Sequence, residues 1–113
     1  MRIAIPITGD CLEQHFGHCQ RFALIDINPE RRQILSTTEI EAPEHQPGLL
    51  PTWLKEHDVT HVIAGGIGTR ARSLCTELSI EVIAGASSDE PGILAMGYLD
   101  GTLKTSPHVC EHH

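Results

Sequence analysis

The stretch THVIAGGIGTRARSLCTELSIEVIA, residues 60–84 of the 113-residue chain, decides the fold. Its two ends, Thr60-His61-Val62-Ile63-Ala64 and Ile80-Glu81-Val82-Ile83-Ala84, are short apolar runs rich in β-branched residues, the composition of buried strands. Between them Gly65-Gly66-Ile67-Gly68 breaks the first run. Ala71, Leu74, Cys75 and Leu78 then recur at i, i+3, i+4 and i+7, which lines up one apolar face of a helix. A strand, a glycine turn, a helix and a second strand make a crossover unit whose two strands run parallel in one sheet.

Working outward, Ile3, Ile5 and Ile7 alternate with period two and predict a strand over residues 2–7, ending near Thr8-Gly9-Asp10. Phe22 to Ile27 and Gln33 to Thr38 flank the turn-forming run Asn28-Pro29-Glu30-Arg31, which predicts a hairpin. Leu50, Trp53 and Leu54 predict a helix over 49–57, with Pro51 in its first turn where a missing N–H costs nothing. Ser87 and Glu90 have the spacing of a capping box and predict a third helix over about 88–99, stopped by Asp100-Gly101. Five strands and three helices in this order give an α/β fold, a mixed five-stranded sheet with helices on both faces. One domain spans residues 1–103, and residues 104–113 form a Cys/His-containing tail.

Composition narrows the function. The net charge of −7 would repel a phosphate backbone, so nucleic acid is not an expected partner. No apolar run approaches the length of a membrane span and the N-terminus lacks a signal peptide, which places the chain in the cytoplasm with its cysteines as thiols. Of its four cysteines and eight histidines, eight residues fall in two windows, 11–19 and 108–113, where chance would put about two. The first window holds Cys11, His15, His18 and Cys19. The second holds His108, Cys110, His112 and His113. Thiolate and imidazole suit zinc, copper(I) and iron–sulfur species rather than magnesium or calcium.

Other features weigh less. The glycine turn at 65–68 opens a helix, where unpaired N–H groups and the helix dipole favour an anion, although glycines serve a tight turn equally well. Residues 66–71 satisfy G-x-G-x-x-A, but no acidic residue ends the following strand as a dinucleotide site requires. Cys75 lies on the apolar stripe of its helix and is expected in the core. Asp10, Asp26 and Asp89 sit near element ends and offer a metal-dependent hydrolase as an alternative. A soft-metal binder of zinc, copper or nickel without a cluster is another.

Three features together, the strand Arg2-Ile3-Ala4-Ile5-Pro6, the motif His15-Phe16-Gly17-His18 followed by Phe22, and Gly65-Gly66-Ile67-Gly68 with Ala71, resemble the dinitrogenase iron-molybdenum cofactor-binding family, which includes NifX and the C-terminal domain of NifB. The resemblance runs from residue 1 to about 103. It implies an RNase H-like, three-layer α/β/α domain with a five-stranded mixed sheet. It also implies a carrier for a metal–sulfur cluster, iron–molybdenum-type or iron–sulfur, without turnover, that works with a cluster donor or acceptor protein in cofactor assembly related to nitrogen fixation. On the family pattern His15 and His18 lie near the cluster-binding cleft, and Gly65, Gly66 and Gly68 match its glycine loop. Cys11 and Cys19 join the candidate cluster ligands on their own chemistry, and His108, Cys110 and His112 are candidate metal ligands in the tail.

Overall fold

The long apolar alternation at the N-terminus becomes the central strand. In the computed structural model, which describes residues 1–44 and 48–105, β1 spans Arg2–Thr8 and is buried on both faces from Ile3 to Ile7. Phe22 to Ile27 become β3 (Arg21–Asn28), and the following run becomes β4 (Gln33–Glu41). The hairpin turn between them is secured by Asn28, whose Oδ1 accepts from the N–H groups of Glu30 (3.1 Å) and Arg31 (3.3 Å), a local bond that asparagine is suited to make.

The crossover unit forms as its sequence dictates. β5 (His61–Ile63), α2 (Thr69–Glu77) and β6 (Glu81–Ile83) follow in order, with β5 and β6 parallel through Val62 and Val82. β5 also lies parallel to β1, while β1, β3 and β4 are antiparallel neighbours. The resulting order is β4-β3-β1-β5-β6. A sixth strand, β2 (Cys11–Leu12), pairs antiparallel with the end of β1, Ile7 opposite Leu12 and Thr8 opposite Cys11. The sheet thus has six strands rather than the five expected, because a two-residue strand is too short to leave any periodicity in the sequence.

Helices cover both faces. Leu54 of α1 (Leu49–Glu56) and Cys75 of α2 pack with Ala4, Phe22, Leu24 and Val62 on one side of the sheet. Leu94 and Ala95 of α3 (Pro91–Asp100) pack with Ile3, Ile5, Ile7 and Ile25 on the other. Cys75 is fully buried, as its place on the apolar stripe predicts. A fully buried side chain of the size of Phe22 or Ile5 contributes about 1.5–3 kcal/mol relative to an exposed one, so both faces contribute to stability.

The start of α3 differs from expectation. No capping box forms: Ser87 Oγ donates instead to Asp89 Oδ2 (2.9 Å), and the N-cap residue is Glu90, with no side-chain cap bond. Pro91 is the reason. It occupies the first helical position, where its missing N–H is harmless, and it holds the preceding Glu90 in extended geometry (φ −64, ψ 145), so the helix cannot begin earlier. Its other end stops at Gly101, which takes the left-handed conformation (φ 73) that glycine adopts without strain. Among the described residues, no helix is long and apolar enough to cross a membrane.

Candidate functional site

The chain leaves β1 toward β3 on one side of the sheet and leaves β5 toward β6 on the other. Between two parallel strands whose connections diverge in this way, a crevice opens at their carboxyl ends, and there α/β sheets bind ligands. The crevice here is built from two loops. One is residues 13–18, after β2, which includes a 3-10 turn at Phe16–His18; the other is the glycine turn after β5. Main-chain bonds lace them together: Gly66 N–H donates to Gln14 O (2.7 Å) and Phe16 N–H to Gly66 O (3.1 Å), which pairs His15 with Gly66 in a parallel bridge. Phe16 then packs edge-on against Phe22, anchoring the turn in the core.

The crevice is a cleft of about 380 Å³. His15 and His18 stand on one wall, both exposed, their rings 5.8 Å apart and edge-on. Gly66, Gly68 and the first turn of α2 form the floor, where the N–H groups of a helix start have no intrahelical partner and no side chain caps them. Leu50, Pro51 and Leu74, from the first turn of α1 and from α2, give the opposite wall an apolar surface. Arg70 also lines the cleft and is exposed. The sequence had singled out the glycine turn but not Arg70, whose place one residue into a helix that opens on a glycine turn was the signal available.

No Asp or Glu occurs among the described residues lining this cleft, although the whole chain carries −7. A wider groove of about 790 Å³ beside α3 is the opposite case, bordered by Asp89, Glu90 and Asp100 against Lys104 alone among the described lining residues. An anion is attracted to the first and repelled by the second.

The remaining candidates lie around the cleft rather than on it. Gly65 is buried behind Gly66. Cys11 is half-buried opposite Thr8 in β2. Cys19 follows the 3-10 turn, packs toward the core and donates its S–H to Phe16 O at 3.6 Å. Burial pushes its thiol up to about 11, so it is protonated at neutral pH. Glu13 braces the loop from below: its carboxylate accepts from the His15 N–H (3.2 Å) and the Thr8 hydroxyl (3.0 Å), and the first of these bonds holds it below the usual carboxylate range. His108, Cys110 and His112, with nearly all of the 104–113 tail, lie outside the described residues. Among the described residues no three His, Cys, Asp or Glu side chains converge on a metal-ion position. Asp10 and Asp26 do not converge either. Asp26 pairs with Arg2 at the start of β1 and Asp10 follows its end, roughly 20 Å away at 3.3 Å per residue, so these two carboxylates do not share a site.

The family model described as dinitrogenase iron-molybdenum cofactor matches residues 1–96. Uncharacterized protein MJ0580 of Methanocaldococcus jannaschii is 24% identical over 107 residues, covering 92% of this chain and 90% of that protein. The crystal structure of PH0822 superposes with a TM-score of 0.88 at 28% identity, over 96% of this chain and 97% of that one. The apo form of the orange protein from Desulfovibrio gigas superposes with a TM-score of 0.72 at 16% identity, over 94% and 92% of the two chains, a likeness of fold alone.

Proposed function

The chain belongs to the dinitrogenase iron-molybdenum cofactor family, and from that premise we propose that it binds a preformed metal–sulfur cluster, iron–molybdenum-type or iron–sulfur, in the cleft between the 13–18 loop and the glycine turn and carries it between a donor and an acceptor protein without turnover. The scaffold is read as RNase H-like. The observation that carries the proposal is the chemistry of the cleft lining: two imidazoles, one guanidinium and an uncapped helix start, with no carboxylate among the described lining residues of a chain at −7. A preformed cluster that arrives with its thiolate or carboxylate terminal ligands is anionic overall and weakly hydrated. The guanidinium and the helix start answer its charge. The Leu50, Pro51 and Leu74 wall answers its poor hydration, since little water must be recovered when the cluster docks.

The same lining separates a cluster from a bare ion. A bare soft metal ion requires about four protein ligands, whereas a preformed cluster arrives with sulfide and terminal ligands already on its metals and can dock through fewer protein side chains than the roughly four an iron–sulfur core takes when the protein alone ligates it. His15 and His18 are assigned as the cluster-facing imidazoles, and Gly66 and Gly68 as the backbone that lets the cluster approach. Cys11 is assigned as a nearby thiol for exchange, Cys19 as a second that would have to turn out of the core and lose its proton to take part, Gly65 as part of the glycine loop, and His108, Cys110 and His112 as further soft donors on the tail. Two imidazole bonds hold a cluster weakly enough to release it, as a carrier must.

Anaerobic titration with an isolated iron–molybdenum–sulfur cluster, and separately with an iron–sulfur cluster assembled from ferrous iron and sulfide, tests this. At least one should co-elute with the protein and bring visible charge-transfer absorption. Combining His15→Ala with His18→Ala should weaken retention by about 10–100-fold, the scale on which disturbed metal sites lose affinity. If neither cluster is retained by the wild-type protein, the proposal fails.

A further inference from the structure

One side chain joins all three loops at the carboxyl end of the sheet. Gln14 precedes His15, and its main chain accepts from Gly66 N–H on the cleft side. Its side chain runs the other way. The amide Nε2 donates to Ser88 Oγ (2.8 Å) and to Ala86 O (3.4 Å), in the loop that follows β6. It reaches them through a space that only glycine leaves open: a Cβ on residue 65 would stand 2.6 Å from Gln14 Oε1 and 3.1 Å from its Cα. The contact with the amide is closer than real Cβ atoms come, so the Gln14 side chain would have to leave its seat, and the Cα, which is backbone, would have to give by a few tenths of an ångström.

The 86–88 loop is itself well supported. Gly85 N–H donates to Gly65 O (2.8 Å) and Ala86 N–H to Ala64 O (3.0 Å), extending the β5–β6 ladder beyond both strands. Ala86 also pairs with Thr105 in an isolated antiparallel bridge. Gln14 is therefore held at its main chain by one rigid loop and at its amide by another, on opposite sides of the His15 backbone. Neither Gln14, Ser88 nor Ala86 lines the cleft.

We propose that Gln14 is the positioning residue of this site: its amide, seated against Gly65 and bonded to the 86–88 loop, sets the direction in which His15 is presented to the bound cluster. The inference rests on the cluster-binding reading above and adds to it a residue that never touches the cluster. It also gives Gly65 a distinct part, that of leaving room for the amide rather than for the ligand. A long, half-buried, neutral amide suits the task because it donates to a hydroxyl and a carbonyl at once. Glutamate has the same length but an ionised carboxylate cannot donate to Ala86 O.

The test uses the full-length chain and the cluster that the wild-type protein retains in the titration above. Gln14→Ala should weaken retention by about 10-fold and alter the visible circular dichroism of the bound cluster, which reports ligand orientation rather than stability. Gln14→Glu and Ser88→Ala should move both readings in the same direction by less. Gly65→Ala, which also presses on the Gln14 Cα, should lose at least as much as Gln14→Ala, and the double variant should lose less than the sum of the two, because they share the amide contact. If wild type binds a cluster while Gln14→Ala matches it in retention and dichroism, the positioning role is wrong. The same holds if the two losses simply add. A wild-type protein that retains no cluster brings down the cluster-binding reading itself.

Discussion

The two ends of β1 treat polar groups in opposite ways. At its start, Arg2 is closed off: its guanidinium donates to both carboxylate oxygens of Asp26 (2.8 and 3.1 Å) and to His57 O (2.7 Å), and Asp26 also accepts from Ser36 (3.1 Å). Thr60 completes the arrangement, its hydroxyl accepting from Arg2 N–H and donating to Arg2 O, each at 3.1 Å. At its far end the same strand gives way to loops stitched by main-chain bonds, whose side chains His15 and His18 face a cleft shared with Arg70. One arginine is spent on the protein's own carboxylate. The other stands where no carboxylate of the described chain meets it, since no ion pair among the described residues includes Arg70. The first arrangement ties strands of the sheet together, and the second places polar side chains on a cleft.

This contrast can be broken in both directions. The largest effect is expected from Arg70→Glu, which reverses a charge beside the cleft. Retention of the cluster should fall by about 10–100-fold, since moving a unit charge of the wrong sign near a surface anion is worth one to a few kcal/mol. The urea midpoint should hardly move, because Arg70 is exposed. Arg2→Ala should do the reverse. Loss of a partly exposed, bidentate pair and of the bond to His57 O should destabilise by about 1–2 kcal/mol in urea unfolding, with cluster retention unchanged.

The smallest effect sharpens the comparison through pH. The Arg2 hydrogen bonds hold the Asp26 carboxyl below its usual value in the folded chain. A depressed folded-state pKa gives stability that is present above the unfolded value, about 3.9, and is lost as pH falls through the folded one. Unfolding free energy followed from pH 5 downward should therefore drop in the wild type, and less so in Asp26→Asn. Equal slopes in the two proteins would mean that the pair is not coupled to folding.

Much of this was legible in the chain. Residues 60–84 carried the parallel crossover, because a run of β-branched residues, a glycine break and an i, i+3, i+4, i+7 stripe have few other outcomes. The hairpin from Phe22 to Thr38 was equally open to reading, since Asn28-Pro29 cannot continue a strand. Two elements were not. β2 has two residues and exists because Leu12 is covered by the core shared with α3, a partner 80 residues away. The start of α3 was misplaced because Ser87 and Glu90 match a capping pattern while Pro91 overrides it.

The candidate site divides along the same line. Composition and spacing marked the 11–19 window and noted the glycine turn, and the family resemblance then singled out His15 and His18 within that window. That the two segments face each other across one cleft depends on β1 and β5 lying side by side, a contact between residues some 60 positions apart. Arg70 entered the site, and Cys19 turned toward the core, through that same packing. Local chemistry is written residue by residue, so the sequence by itself determined the longer elements and which candidate ligands are at hand. Only the tertiary structure decided which of those ligands share a cleft, because convergence is a property of how the sheet is ordered and not of any one segment.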